Sequence, residues 1–269
     1  MAKIHPAAIV SKDAHLDDVE VGPYAIIEDG VVIGKGTRIM AHAYICSGTT
    51  IGSDCEAHMG AVLGHTPQHL QFKGENSVLK IGDRNIFREY SSVHRGSKEG
   101  LNTIIGDDNF FMGFSHIAHD CRIGNNVVLC NGVLLAGHVM VEDRAFISGN
   151  AAVHQFSRIG KLAMIGGLTV VNKDVAPYVL VEGDSEVCSL NVVGLKRSDI
   201  SEEAKSQIKQ IYKLIYRSSL NLSHALEEAG KISDLTIEAR HMMDFIKSSK
   251  RGICKGRRAP DFDSETEAI

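Results

Sequence analysis

Apolar side chains recur at every sixth position over most of the chain. From Ile9 to Val171, 24 of the 28 positions spaced six residues apart are apolar. The four exceptions are His15, His69, Glu75 and Glu99. A period of six matches neither the 3.6-residue turn of an α-helix nor the two-residue alternation of a single strand. It predicts short parallel strands joined by tight corners and stacked coil on coil, so that each coil buries the inward face of its neighbour.

The positions around each apolar slot support this prediction. A glycine often comes directly after it, and a small or β-branched residue often stands four residues after it. Cys55 and Cys121 occupy that small-residue slot, which indicates a packing role rather than a redox role. Two polar stretches, residues 66–77 and 96–103, interrupt the pattern without changing its frame. We expect both to be loops, which on a rigid scaffold either carry function or are tolerated ornaments.

The repeat resembles that of the hexapeptide-repeat proteins. This resemblance implies a left-handed parallel β-helix with three hexapeptides per coil. The 28 repeats would form about nine coils and a prism roughly 45 Å long at ~4.8 Å per coil. Because the six-residue frame ends near Glu186, we expect a β-helix domain over residues 1–186 and a small C-terminal α-helical domain over residues 187–269.

The C-terminal residues carry helix signals instead of the six-residue period. Asp199 is the predicted N-cap of a helix with Glu202 as its capping-box acid, and apolar residues follow at helical spacing. Two further helices are predicted over residues 222–228 and 236–247. The last nine residues are acidic, which predicts a disordered tail.

Composition excludes several classes of protein. The chain has 269 residues, of which 43% are hydrophobic and 23% charged, and its net charge is −4, which is typical of a globular protein. No apolar run approaches the ~20 residues of a membrane span, and no secretory signal is evident, so we expect no transmembrane segment and a cytoplasmic location. The six cysteines are scattered without a CxxC motif, which favours reduced thiols.

The two expected domains carry opposite charge. Residues 1–186 have a net charge of −6, whereas residues 187–260 have a net charge of +6. A basic domain on an acidic protein favours an acidic protein or a phosphorylated small molecule as partner, although a solvated helix face would have the same composition. Nucleic acid is not expected as a partner, because the excess is modest and no base-reading motif is present.

Histidines align when the chain is wound with three hexapeptides in each coil. The columns contain His119, Gly137 and Gln155; Asp120 and His138; and Ala136 and His154. Five of the 13 histidines cluster in this region: His94, His116, His119, His138 and His154. Successive coils therefore present titratable groups at one corner of the prism, a registry that indicates a functional site.

This cluster suits acid–base chemistry. Histidine titrates near neutral pH and is the commonest general base, and Asp120 could orient His119. Gly137 allows close backbone approach, and its N–H could stabilise an oxyanion. No Ser or Cys lies in a nucleophile motif, which favours direct transfer without a covalent enzyme intermediate. Zinc held by His116 and His119 is an alternative, although no third ligand at suitable spacing is evident.

Longer motifs resemble the UDP-N-acetylglucosamine O-acyltransferase family of lipid A biosynthesis. The matching segments, in the family's order, are residues 93–96, 117–121, 135–139, 152–156, 177–178, 194–197 and 213–217. The resemblance covers essentially the whole chain and both loops. It implies transfer of a (3R)-3-hydroxyacyl chain from acyl carrier protein to the 3-hydroxyl of UDP-N-acetylglucosamine by a cytoplasmic homotrimer, with active sites between neighbouring prisms.

The same resemblance implies a role for each candidate residue. His119 would be the general base, supported by Asp120, and the Gly137 N–H would hold the thioester oxyanion. The implied substrate contacts are His69, His94, His116, His138, His154 and Gln155, with Asn191 and Arg197 at the nucleotide end. Gly167 lies where the family measures acyl length, and without a side chain it would leave room for a longer chain. No cofactor or metal is implied, since the phosphopantetheine arm arrives on the carrier protein, which would dock on the basic helical domain.

Four positions depart from the family's usual pattern. His69 and Gln71 stand where the family has an acid and a base, Val193 stands in place of an acid, and Ser198 in place of an arginine. The base and oxyanion positions are intact, so the departures leave the acceptor open between the 3-hydroxyl sugar, a 3-amino sugar and another nucleotide sugar. A zinc-dependent hydratase on the same prism and a non-enzymatic binding protein are the remaining alternatives.

Overall fold

The six-residue repeat folds into a three-sided prism, in which each repeat supplies one short strand to each face in turn. The structure is a computed structural model that describes residues 2–257. Most strands pair in parallel with the strand three repeats away, as Phe110 does with Val128 and Val128 with Phe146. The prism is a left-handed parallel β-helix, which confirms the predicted fold class.

Three parallel sheets form the faces of the prism. The first face contains β1 (Lys3–Ile4), β4 (Glu20–Val21), β7 (Arg38–Ile39), β10 (Glu56–Ala57), β13 (Ile86–Phe87), β16 (Phe110–Phe111), β19 (Val128–Leu129), β22 (Phe146–Ile147) and β25 (Met164–Ile165). The second face contains β2 (Ile9–Val10), β5 (Ile26–Ile27), β8 (Tyr44–Ile45), β11 (Val62–His65), β14 (Ser92–His94), β17 (His116–Ile117), β20 (Leu134–Leu135), β23 (Ala152–Val153) and β26 (Val170–Val171). The third face contains β3 (His15–Leu16), β6 (Val32–Ile33), β9 (Thr49–Ile51), β12 (Val78–Ile81), β15 (Asn102–Ile105), β18 (Arg122–Ile123), β21 (Met140–Val141) and β24 (Arg158–Ile159).

The corners between faces need a left-handed backbone conformation. Residues at these corners repeatedly have positive φ, including Asp120 (61°), His138 (61°) and Phe156 (64°). Most of these corner residues are not glycine, so the corners also present side chains. The predicted polar corner is built from such positions.

The frame of the first coil is shifted by one residue from the predicted one. Ile9 is 65% exposed, and it pairs with Ile26 instead of Ile27, so Val10 rather than Ile9 takes the inward direction. His15 faces outward for the same reason. The step from Leu16 to the next inward residue, Val21, is one residue shorter than the repeat, and this shorter corner accounts for the error.

The inward slots form one continuous core along the prism axis. Phe87 and Phe111 lie on adjacent coils with ring centroids 5.1 Å apart, and both are fully buried. Cys55 and Cys121 are buried and unpaired, which confirms their packing role. Burial raises the pKa of the Cys55 thiol to about 11 and that of Cys121 to about 12, so neither is a thiolate at neutral pH.

The two polar interruptions are loops, as predicted. The first, residues 66–77, lies between β11 and β12, and the second lies between β14 and β15. The second loop is shorter than expected, because Asn102 and Thr103 already belong to β15 and pair with β12. Both insertions lengthen their coils, yet the inward residues still pair across them, Leu63 with Val93 and Val93 with Ile117.

The prism continues into a C-terminal region that begins with strands rather than helices. These strands are β27 (Val179–Glu182), β28 (Glu186–Leu190) and β29 (Lys255–Gly256), and they extend the first face. The helices are α1 (Val192–Arg197), α2 (Glu202–Tyr216), α3 (Leu222–Ala229) and α4 (Ile237–Lys247). The antiparallel pair of β27 and β28 and the short α1 were not predicted. None of the helices in residues 2–257 has the length and apolarity of a membrane span.

The predicted N-cap of α2 is wrong. Ser201 caps α2, and its side chain accepts a hydrogen bond from the Ala204 N–H, so the helix begins at Glu202. Asp199 is exposed, with its carboxylate 3.9 Å from the Arg144 guanidinium. The predictions for α3 and α4 are confirmed to within one residue. The predicted disordered tail lies outside the described residues.

Candidate functional site

His119 and Asp120 form a buried dyad at the corner between the second and third faces. They follow β17, and both are 8% exposed. Although neighbouring side chains often point apart, His119 Nδ1 lies 2.7 Å from Asp120 Oδ2. Asp120 has a positive φ of 61°, and its carboxyl group reaches the imidazole of the residue before it.

The Asp120 carboxylate is ionised at neutral pH. Burial alone would raise its pKa, but hydrogen bonds from His119 and Ser97 outweigh burial and lower the pKa to about 2. Since a carboxylate can only accept, His119 Nδ1 carries the proton in this bond. A neutral His119 then has an unprotonated Nε2, which is the atom that a general base needs.

Gly137 lies directly beneath the His119 ring, one coil further along. A Cβ atom at this position would come within 2.5 Å of His119 Cε1 and 2.7 Å of Nε2, so only glycine leaves room for the imidazole. Within the described part of the chain, the Gly137 N–H has no hydrogen-bond partner. The predicted column of residues 119, 137 and 155 is therefore present, because β17, β20 and β23 are in register at steps of three repeats.

A second pair of histidines lies on the second face, with His94 at the end of β14 and His116 at the start of β17. The His94 and His116 rings are 4.8 Å apart, and His116 Nδ1 lies 2.8 Å from Ser92 Oγ. Burial, followed by the neighbouring His116, lowers the pKa of His94 to about 4, so His94 is neutral at pH 7. Its Nδ1 accepts a hydrogen bond from the Gln68 N–H and so ties the first loop to the prism.

Two further histidines, His69 and His138, contact the dyad. The His69 ring, on the first loop, packs edge-on against His119 at 5.1 Å, and His69 Nδ1 is buried without a hydrogen-bond partner among the described residues. His138 Nε2 lies 3.4 Å from Asp120 Oδ2, and its ring stacks on Phe156 at 4.5 Å. Burial lowers the pKa of His138, and Asp120 partly opposes this effect.

A cleft of about 950 Å³ opens in front of this corner. The candidate residues that line it are His69, His116, His119, Gly137, His154 and Gln155. Its floor continues along the second face as an outward row of Leu134, Ala152 and Val170. The cleft is thus polar at the dyad and apolar beyond it, which suits a ligand with a polar head and an alkyl chain.

Six predicted site residues do not line this cleft. His94, Asp120 and His138 lie behind its wall in contact with lining histidines, whereas Asn191, Arg197 and Gly167 lie further away. Asn191 is buried as the N-cap of α1, where its amide accepts from the Gly194 N–H and donates to the Leu162 carbonyl oxygen. Arg197 is exposed at the end of α1. Gly167 is exposed, and a Cβ there would meet only the Gly149 carbonyl oxygen, at 3.5 Å.

The sequence analysis missed several polar groups at the site. Ser97, in the second loop, donates two hydrogen bonds to Asp120. Arg251, from the segment after α4, donates to His154 Nδ1 at 3.3 Å and to the Asn172 carbonyl oxygen at 3.0 Å. The interruption of the repeat was a signal for Ser97, whereas no local pattern marks Arg251.

The dyad also forms part of a group that could hold a metal ion. His119, Asp120 and His138 each offer one ligand atom, and these atoms lie within 4.8 Å of one another. The sequence alternative paired His119 with His116 instead, but His116 hydrogen-bonds Ser92 and is not in this group. Asp120 Oδ2 already accepts hydrogen bonds from His119 and Ser97, and a metal ion would have to displace these donors.

Comparison with known proteins gives matches over nearly the whole chain. Residues 174–254 match the family described as UDP N-acetylglucosamine O-acyltransferase, domain 2, and residues 102–137 match the bacterial transferase hexapeptide family of six repeats. A Thermodesulfovibrio yellowstonii acyl-[acyl-carrier-protein]–UDP-N-acetylglucosamine O-acyltransferase is 45% identical over 95% of this chain and 100% of its own length. A protein of the same name from Agrobacterium fabrum is 43% identical over 81% of each chain.

Solved structures show the same relationship. The UDP-N-acetylglucosamine acyltransferase of Campylobacter jejuni is similar with a TM-score of 0.89 and 34% identity, covering 95% of this chain and 100% of that one. The Moraxella catarrhalis UDP-N-acetylglucosamine O-acyltransferase has a TM-score of 0.88 and 36% identity, covering 93% of this chain and 99% of that one.

Proposed function

This chain belongs to the UDP-N-acetylglucosamine O-acyltransferase family, and we propose that it transfers a (3R)-3-hydroxyacyl chain from acyl carrier protein to the 3-position of UDP-N-acetylglucosamine, the first step of lipid A synthesis. The observation that carries this proposal is the buried dyad on the cleft wall. His119 Nδ1 is bonded to the Asp120 carboxylate, and its imidazole lies over the Gly137 backbone.

The proposed chemistry is a single direct transfer. His119 Nε2 takes the proton of the acceptor hydroxyl while that oxygen attacks the thioester carbonyl carbon. The Gly137 N–H stabilises the oxyanion that forms, and Asp120 stabilises the imidazolium. As the intermediate collapses, the C–S bond breaks and the imidazolium returns its proton to the leaving pantetheine sulfur. The raised pKa values of the buried Cys46, Cys55, Cys121 and Cys254 thiols support a mechanism without a covalent cysteine intermediate.

The apolar row on the second face suits the acyl chain. Leu134 and Val170 are each 51% exposed and lie in register with Ala152, so they offer a strip of hydrocarbon that begins next to His116. Gly167 lies at the corner before Val170, where a Cβ would meet only the Gly149 carbonyl oxygen, at 3.5 Å. We assign this strip to the acyl chain and Gly167 to the position that sets its length, where the missing side chain leaves room for a longer chain.

The remaining candidates are assigned to the acceptor and the donor carrier. His69, His94, His116, His138, His154 and Gln155 would contact the sugar nucleotide or the acyl chain, and Asn191 and Arg197 would lie toward the nucleotide end. The carrier protein, whose phosphopantetheine arm supplies the thioester, would dock on the basic C-terminal region. A homotrimer in the cytoplasm, with clefts between neighbouring prisms, completes the proposal.

The altered first loop leaves a second candidate acceptor open. His69 lies against the base where the family usually has an acid, and Gln71 also lines the cleft. A loop without the acid and base removes one fixed charge of each sign near the acceptor. We therefore propose the 3-amino analogue of the sugar nucleotide as the alternative acceptor.

The decisive assay offers both acceptors with 3-hydroxyacyl carrier proteins and identifies products by mass spectrometry. Acylation of UDP-N-acetylglucosamine supports the first candidate, acylation of the 3-amino sugar alone supports the second, and no product with either sugar refutes both.

His119→Ala should lower kcat by at least ~100-fold because the general base is lost. The exposed His15, far along the prism, provides the control, and His15→Ala should turn over normally. Activity that depends on stoichiometric bound metal would instead favour the metalloenzyme alternative.

A further inference from the structure

Ser97 holds both oxygens of the Asp120 carboxylate. Its backbone N–H lies 3.0 Å from Oδ1, and its hydroxyl lies 2.6 Å from Oδ2. The second of these oxygens also accepts the hydrogen bond from His119 Nδ1. Three donors therefore hold the carboxylate, and loss of the Ser97 hydroxyl would leave only the Ser97 N–H on Oδ1 and His119 Nδ1 on Oδ2.

The position of Ser97 is itself fixed by the prism. The hydroxyl of Ser77, at the end of the first loop, donates to the carbonyl oxygen of Gly96, and the Gly96 N–H donates to the Val78 carbonyl oxygen at 3.3 Å. A Cβ at Gly96 would lie 2.0 Å from the Leu101 carbonyl oxygen, so this tight path requires glycine. Ser97 is 2% exposed, and its donors therefore act in a site from which water is excluded.

A separate residue holds the backbone of Asp120. Thr103 Oγ1, at the start of β15, accepts a hydrogen bond from the Asp120 N–H at 2.9 Å. The main chain and the carboxylate of Asp120 are thus fixed by different residues on the preceding coil. A substitution at Ser97 therefore changes the contacts of the Asp120 carboxylate but leaves the hydrogen bond from its backbone N–H to Thr103 in place.

We propose that Ser97 is a positioning residue of the transfer reaction, which orients the Asp120 carboxylate so that His119 keeps its proton on Nδ1 and its lone pair on Nε2 toward the cleft. The second loop, which interrupts the repeat, then serves the reaction by carrying this serine. The inference rests on the proposed function for its kinetic consequence, but the imidazole tautomer that it describes is a property of the folded protein alone.

The test compares Ser97→Ala and Ser97→Thr in the full-length chain. Ser97→Ala keeps the backbone donor and loses the hydroxyl, so kcat should fall roughly 10- to 100-fold, as when a group that orients a catalytic side chain is removed. The KM values for both substrates should change less than about threefold, because Ser97 does not line the cleft. Ser97→Thr keeps the hydroxyl and should restore kcat to within a few-fold. Ser91→Ala, which removes a buried hydroxyl that has no partner among the described residues, is the matched control and should leave kcat unchanged.

A spectroscopic readout decides the proposal independently of turnover. Histidine-selective 15N NMR should show His119 in the Nδ1–H form in the wild type and a mixture of both tautomers in Ser97→Ala. Identical His119 spectra would overturn the inference, as would a wild-type kcat in Ser97→Ala or an effect confined to KM. A wild type without acyl transfer would refute the proposed function, and the tautomer comparison would still decide the role of Ser97.

Discussion

At the scale of single residues, Gly137 shows how closely one coil approaches the proposed general base on the preceding coil. Its missing side chain is the space that the His119 imidazole occupies. The backbone φ of Gly137 is not in the left-handed region, so the requirement for glycine comes from the neighbouring ring and not from the local conformation.

Gly137→Ala should therefore displace the His119 imidazole while leaving the backbone N–H in place. We expect kcat to fall about 100-fold, the typical cost of misplacing a catalytic group by about 1 Å. Steady-state kinetics of the purified variant provide the measurement. Gly149→Ala, two repeats further along, is the control, because its Cβ would meet only the Asn131 carbonyl oxygen at 3.4 Å. Equal activities in the two variants would contradict the proposed packing of His119 on Gly137.

At the scale of elements, the start of α2 separates a capping residue from one that only resembles it in sequence. Ser201 has extended backbone geometry and accepts the Ala204 N–H, while Glu202 and Glu203 occupy the first turn, where acids interact favourably with the helix dipole. Asp199 lies two residues earlier and makes only a long contact with Arg144. Either residue could have capped the helix as judged from the sequence, and the path of the chain after α1 favours Ser201.

Ser201→Ala should lower the free energy of unfolding by ~1 kcal/mol, because one orphan N–H of the first turn loses its acceptor. Asp199→Ala should change it by less than about 0.5 kcal/mol, as expected for an exposed side chain. Urea denaturation followed by circular dichroism would measure both. A larger loss in Asp199→Ala than in Ser201→Ala would contradict the assigned cap.

At the scale of the whole molecule, an ion pair links α4 to the third face of the prism. His241 Nε2 lies 2.8 Å from Glu142 Oε2. The hydrogen bond to Glu142 raises the pKa of His241 above its usual value, although burial opposes this effect. Lys161 and Asp244 also face His241, with opposite effects on its charge.

The stability of the molecule should therefore depend on pH through His241. A histidine whose pKa is raised by folding contributes stability that is present below its unfolded pKa, near 6.5, and is lost as the pH rises through the folded pKa. His241→Gln should lower the free energy of unfolding at pH 6, within the ~0.2–1 kcal/mol of partly exposed ion pairs, and have a smaller effect at pH 9. Thermal melts at both pH values would measure the difference, with His224→Gln on the exposed surface of α3 as control. An equal effect at both pH values would show that the contact stabilises by packing alone.

The sequence was a sufficient guide to the prism but not to its corners and ends. The inward slots repeat because one core runs the length of the molecule. This spacing, together with the three repeats per coil that the family resemblance implies, predicts the register that stacks His119 over Gly137. The predicted frame fails at Ile9, because the corner between Leu16 and Val21 is one residue shorter than the repeat and nothing in the composition marks this. It could not find Ser97 or Arg251, since their contacts with the site depend on how a loop and a C-terminal segment fold back onto residues distant in sequence.

The strands at the C-terminal end of the prism bear on a hazard common to all stacked repeats. A coil that buries its neighbour's face could equally bury that of another molecule, and the product would be a growing fibre. At the C-terminal end, β28 reverses direction and β29 covers it, so the first face offers no free parallel rung there within the described residues. The C-terminal strands thus act as a terminator, which prevents an architecture that could stack without limit from adding another parallel coil at that end of the first face.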